Sequence, residues 1–190
     1  MNDMETTWVL LARNGDRDAF IELVILYQEK IYQLAYRMLG NRHEAEDIVQ
    51  ETFLRVFKNL HSYDPNLKFS TWIYRIGTNL CIDRLRKKKV TYSLDVDPDG
   101  EGLNGYSQLP SDEPNPETQV LISETQEKIQ QAISELPEKY KSVVLLYYFH
   151  DFSLQEIAGI LNMPATTIKT RLHRARDYLR KKISRENETK

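Results

Sequence analysis

The sequence predicts an all-α protein: two small helical domains, an N-terminal helical bundle and a C-terminal four-helix domain with a helix-turn-helix, joined by an acidic flexible linker. Three observations carry this. Apolar residues recur at steps of three and four both before Lys89 and after Thr118, the period of amphipathic helices. Between them the composition changes abruptly. From Val90 to Glu127 there are nine carboxylates and no Lys or Arg, with Pro98, Pro110, Pro114 and Pro116 among Gly100, Gly102 and Gly105, a mixture of low intrinsic order. Finally, Ser153-Leu154-Gln155-Glu156 has the form of a capping box, and Asn162-Met163-Pro164 that of a turn before a longer basic stretch. The expected division is residues 1–89, linker 90–117 and residues 118–190.

The first domain opens with Asp16 and Asp18 as N-cap candidates for a helix reaching about Leu39, with Gly40 as its stop. Phe20, Leu23, Val24, Tyr27, Ile31, Leu34, Ala35 and Met38 keep its period; Ile25 and Leu26 lie off that face. A second helix runs from about His43 to Leu60, with Ala45, Ile48, Val49, Thr52, Phe53, Val56, Phe57 and Leu60 as its expected core stripe. Its second stripe is Asp47, Gln50, Glu51 and Leu54. Carboxylates and an amide beside an exposed leucine suit a protein interface with a polar rim, or a solvated face holding a Glu51–Arg55 pair. His61 to Lys68 contains the turn signature Asp64-Pro65-Asn66.

The third helix has Ser70 as its N-cap candidate and ends in a run where five of the six residues Arg84 to Lys89 are cationic. Ile73, Ile76 and Leu80 form one face; Trp72, Arg75, Asn79, Asp83 and Arg86 form an opposite stripe. An indole, two guanidiniums and an amide in one row can stack on bases and hold phosphates. A solvated helix with cations at its negative dipole end is the plainer reading.

In the second domain, Ile122, Thr125, Ile129, Ile133 and Leu136 mark a helix closed by Pro137, which also begins the next. There Tyr140, Val143, Val144, Tyr147 and Tyr148 are expected to face inward. After the short helix to Leu161, a last helix runs from about Ala165 to Lys182 over Ile168, Leu172, Ala175 and Leu179. Thr166, Lys169, Thr170, Arg171, His173 and Arg174 lie off that core face, where forked cations and hydroxyls can read base edges in the major groove.

The chain of 190 residues is 41% hydrophobic and 28% charged, ordinary for a soluble protein. Its formal net charge of -2 is a poor fit to DNA binding by bulk charge alone, so the distribution of charge matters more than its sum. A single cysteine, Cys81, excludes an intrachain disulfide and points to the cytosol. The N-terminus has no charged-then-apolar leader pattern, and no apolar run approaches a membrane span. The four histidines are scattered, and no nucleophile elbow, P-loop or zinc helix is present. The expectation is no catalysis, no metal and no cofactor.

The stretch F-S-T-W-x-Y-R-I-x-T-N-L-x-I-D-R-x-R-K, at Phe69 to Lys87, resembles the promoter-melting region of bacterial sigma factors of the small extracytoplasmic-function group. H-E-A-E-D-x-x-Q-E-x-F, from His43, is similar to their polymerase-gripping segment, and T-I-K-T-R-L-x-R-A-R, from Thr167, to their upstream-promoter reader. The resemblance spans both domains, and its motifs look most similar to the sigma-W type of bacilli. It implies a core RNA polymerase contact at Asp47, Gln50, Glu51 and Leu54. It implies downstream-promoter DNA contact and melting by Lys68, Trp72, Tyr74, Arg75, Asn79, Arg84, Arg86 and Lys87, with a flipped base held by the loop before them. It implies upstream-promoter contact by Thr166, Lys169, Thr170, Arg171, His173 and Arg174, a membrane-anchored anti-sigma factor, envelope-stress transcription, and no membrane insertion of its own. Two positions depart from the family pattern: Thr166 stands where glycine is usual, and Gly77 where alanine is, at a helix cost of about 1 kcal/mol. From the residues alone, two rivals stand: an autonomous helix-turn-helix regulator with a sensor or dimerisation domain, and a helical adaptor using the Asp47 face without DNA.

Overall fold

The computed structural model describes residues 3–94 and 131–188, all of whose regular structure is helical. The helices are α1 (Asp3–Arg13), α2 (Arg17–Leu39), α3 (Arg42–Asn59), a 3-10 turn at Leu60–Ser62, α4 (Phe69–Leu94), α5 (Glu138–Tyr148), α6 (Leu154–Leu161) and α7 (Ala165–Glu188). Residues 131–134 are also helical. Most of the acidic stretch, and the start of the helix expected from Thr118, lie outside the described residues.

Helix ends follow local chemistry. Asp16 caps α2 by accepting from the Ala19 N–H, and Gly40 closes it in the left-handed region at φ 69°, donating its N–H to Tyr36 O. Asn41 caps α3, slightly earlier than the expected start at His43. Ser153 and Glu156 form the expected capping box on α6, and Asn162 ends that helix in the left-handed region. Ser70 does not cap α4. The helix begins at Phe69, because that ring is buried among Tyr27, Tyr63 and Trp72. At its other end α4 runs to Leu94, past the expected end at Lys89.

In the first bundle α2 supplies the central row Leu23, Tyr27, Ile31, Leu34, Ala35 and Met38, all buried. Against it pack α3 through Ala45, Ile48, Thr52, Phe53 and Val56, and α4 through Ile73, Leu80 and Cys81. Helix α1, not anticipated from the sequence, covers the start of α2 with Val9; Glu5 accepts the Tyr27 O–H at 2.9 Å. In the second bundle Ile157, Ile160, Leu161, Ile168, Leu172 and Ala175 form the core beside α5.

The two bundles touch. Helix α6 lies on α4, and α5 lies on α2 and α4. This contact overturns several expectations about facing. Tyr147 and Tyr148 are exposed, whereas Lys141 to Leu146 are all buried. Helix α5 is enclosed on both sides because it meets α7 on one and α2 on the other, which covers the run Val143 to Leu146 all round. Phe57, expected in the α3 core stripe, is 62% exposed and meets Phe20 edge-on, with ring centroids 5.2 Å apart.

Candidate functional site

The first candidate face is on α3. Asp47, Gln50 and Leu54 are exposed in a row, with Glu51 half-buried beside them and bonded to Arg55 Nε at 2.8 Å. Leu54 and the displaced Phe57 extend this row as exposed apolar surface. Phe57 was not among the residues expected there; its exposure follows from packing that no periodicity reveals.

The second face is on α4. Arg75, Asn79, Arg86 and Lys87 are exposed along the helix. Arg86 pairs with Asp83 one turn back, at 3.9 Å. Arg84 is half-buried and faces α3, where it lies 3.6 Å from Asp47. Trp72 departs from the exposed stripe: it is half-buried, tilted against Tyr63 and Phe69 with centroids 5.0 and 5.7 Å away. Tyr74 departs further. It is 3% exposed, with its hydroxyl 2.9 Å from His150 Nδ1 and its ring edge-on to Phe152 at 4.7 Å. Lys68 is tied to Glu156 of α6 at 2.6 Å. Two expected promoter contacts therefore lie in the seam between the bundles.

That seam has its own chemistry. Arg37 of α2 sits over the Phe149 ring, 4.3 Å from the centroid. Burial, then the nearby Arg37 charge, pushes His150 down to about 4. The Lys68 hydrogen bond, then that from Ser153, holds Glu156 down at about 2. Burial also drives the Tyr74 phenol up. The signal for this seam was the unbroken apolar run Val143 to Leu146 and the aromatics flanking His150.

Next to α4, a cavity of about 490 Å³ is walled by Glu5, Thr6, Val9 and Leu10 of α1 and by Tyr63, Pro65, Leu67 and Phe69. The loop is set by Asp64, which accepts from the Asn66 N–H, and by the Tyr63 hydroxyl, which donates to Leu67 O.

The third face is on α7. Thr166, Lys169, Thr170, His173 and Arg174 are exposed and Arg171 half-buried. Thr170 donates to Thr166 O, and His173 lies 3.0 Å from Asp177. A cleft of about 340 Å³ brings Lys139 and Tyr140 of the α5 start against Thr166, Thr170, Arg171 and Arg174. Lys139 is not among the residues the sequence points to, and Tyr140, expected to face inward, is half-buried at the cleft wall. Among the described residues no group of three His, Cys, Asp or Glu could hold a metal, and no helix is long and apolar enough to cross a membrane.

Two family descriptions match this chain: Sigma-70 region 2 over residues 23–91, and Sigma-70 region 4 over residues 126–179. The chain is 55% identical over 172 residues to the ECF RNA polymerase sigma factor SigW of Bacillus subtilis, covering 90% of this chain and 92% of that one. It is an ECF sigma factor. In this sigma factor the region 2 match takes in the α3 and α4 faces, and the region 4 match the α7 face. Its function is transcription initiation with core RNA polymerase at promoters. Two solved structures share the fold at low identity. CnrH in complex with the cytosolic domain of CnrY has a TM-score of 0.70 at 20% identity, covering 95% of this chain and 97% of that one. The sigma factor RpoE in complex with the anti-sigma factor NepR, from Bartonella quintana, has a TM-score of 0.65 at 21% identity, covering 87% and 96%.

Proposed function

We propose that this sigma factor uses residues 1–89 to grip core polymerase and melt the downstream element, and residues 118–190 to read the upstream element, with 90–117 as tether. Asp47, Gln50, Glu51 and Leu54, extended by Phe57, form the polymerase contact. Arg75, Asn79, Arg84, Arg86 and Lys87 with Trp72 hold the downstream element, and the cavity behind the Asp64 loop takes an extruded base. Lys68 and Tyr74 join that contact once α6 has left them. Thr166, Lys169, Thr170, Arg171, His173 and Arg174 meet the upstream element, with Lys139 at the phosphate edge. The observation that carries this reading is the separation of an acidic-apolar row on α3 from exposed cationic rows on α4 and α7.

Promoter elements about 20 base pairs apart lie about 70 Å apart at 3.4 Å per pair. Helices α4 and α6 in contact cannot serve both, so the promoter complex requires the bundles to part. The sigma factor acts in the cytoplasm and contributes binding and unstacking, while the polymerase does the chemistry. Its regulator is a membrane-anchored anti-sigma factor in an envelope-stress response, a reading supported by the likeness to SigW and by the anti-sigma factor in the RpoE complex. Co-purification with core polymerase followed by run-off transcription tests the whole. Promoter-specific transcripts that appear only when the chain is added are expected. Failure to bind core, or tight sequence-specific DNA binding by the chain alone, overturns it in favour of an autonomous regulator.

A further inference from the structure

Along the seam between α3 and α4, four charged groups alternate in sign: Lys88, Glu44, Arg84 and Asp47. Glu44 Oε2 is 2.5 Å from Lys88 Nζ, and its Oε1 is 3.9 Å from Arg84 Nη1. Arg84 Nη2 is in turn 3.6 Å from Asp47 Oδ2. Glu44 is the anchored member. It sits in the first turn of α3, its N–H donating to the cap Asn41 Oδ1 at 2.9 Å, and its side chain is only 17% exposed. Asp47, one turn on, is 59% exposed. The one guanidinium therefore stands between a fixed carboxylate and an open one. Both of its contacts are longer than the 2.7–2.9 Å or so of a closed charge-assisted hydrogen bond, so Arg84 is committed to neither.

We infer that Glu44 is a positioning residue that holds Arg84 back from Asp47 and so keeps the Asp47 carboxylate open to the polymerase. The inference rests on the proposed polymerase contact at Asp47. With Glu44 neutral, the one remaining carboxylate near Arg84 in this row is Asp47. The guanidinium then closes on it as a fork and occupies the oxygens that a polymerase cation would take. Glu44 is poorly suited to touch the polymerase itself, because each of its oxygens already faces a cation and the group is largely covered. The arrangement also links the two faces. A phosphate that engages Arg84 frees Asp47, and a polymerase that engages Asp47 frees Arg84 for DNA, by the reciprocity of coupled binding.

The test is the affinity of the full chain for core polymerase, measured by competition at fixed ionic strength for wild type, Glu44→Gln, Arg84→Gln and the double variant. Glu44→Gln should weaken core binding by about two- to fivefold, the range of an exposed ion pair. Arg84→Gln, which removes the competitor, should tighten it, and the double variant should bind as Arg84→Gln does. An equal loss from Glu44→Gln in both backgrounds overturns the inference, because it marks a direct contact or a structural staple. No loss in the wild-type background overturns it also. Asp47→Lys separates the two levels. If that variant binds core polymerase at wild-type strength, the interface reading falls and takes the inference with it. If it loses binding while the Glu44→Gln loss persists beside Arg84→Gln, the inference falls alone.

Discussion

The α3 face and the α4 face are neighbours in one bundle, yet they are presented differently. On α3, Asp47, Gln50 and Leu54 stand open to solvent. On α4, Arg75, Asn79 and Arg86 are open, but Tyr74 is buried beneath His150 and Phe152, and Lys68 is held by Glu156. On the proposed reading, the polymerase face is open while the bundles touch and the full promoter face is not. That reading orders the steps: polymerase first, promoter melting after the bundles separate.

The strongest way to break this comparison is to fix the seam. A Cβ built at Gly159 of α6 would lie 3.5 Å from Thr71 Cγ2 of α4, so side chains at the two positions face each other across the seam. Thr71→Cys with Gly159→Cys, oxidised, should abolish promoter opening while core binding stays intact, and reductant should restore opening. Permanganate reactivity of the downstream element reads the first effect and co-elution with core the second. Opening by the oxidised protein would show that the contact does not need to break.

Reversing the charge on the open face attacks the other side. Asp47→Lys should cost several kcal/mol of core affinity if it lies within an interface. Its effect on thermal stability should be below about 0.5 kcal/mol, because the side chain is exposed and off the core. Arg174→Ala on α7 should weaken upstream-element binding by about 1–3 kcal/mol if the guanidinium is bidentate to guanine. Equal loss on scrambled DNA would make it a phosphate contact instead.

The smallest effect is on pH. The packed seam holds His150 neutral, with its pKa brought from 6.5 to about 4 by burial first and by Arg37 second; Lys30 adds to that and Asp151 opposes it. An opened chain takes up a proton below 6.5 that the packed chain refuses. The contact is therefore fully stable above that pH and weakens as pH falls towards 4, by at most about 1.4 kcal/mol per pH unit. Glu156 works in the same direction, but only between its ordinary 4.5 and about 2. The radius of gyration should rise between pH 6.5 and 5 in wild type and stay level in His150→Phe; a level wild-type curve would remove His150 from the balance.

The parts legible in the sequence are those fixed by local chemistry. The Asp16 cap, the Gly40 stop, the Ser153–Glu156 box and the row Leu23 to Met38 need only neighbours three or four residues away. The misplaced residues share another cause. Tyr74, Tyr147, Tyr148 and the enclosed pair Leu145 and Leu146 are oriented by contact between distant segments, as with Tyr74 and His150, 76 residues apart, which a helical period does not encode. Helix α1 offers a weaker pattern, since Val9 is the only one of its described side chains that is buried. Glu44 lay in plain view within H-E-A-E-D, but its partners Arg84 and Lys88 are on another helix.

The enclosure of α5 has a consequence for the life of the protein in the cell. When the bundles separate, Phe149, Phe152, Tyr74 and the α2-facing side of α5 lose their cover together. An opened chain without a partner then carries a contiguous apolar surface of the kind that drives aggregation and draws proteases. On the proposed reading, the closed chain is the protected form, and an open one stays soluble while something else covers that surface.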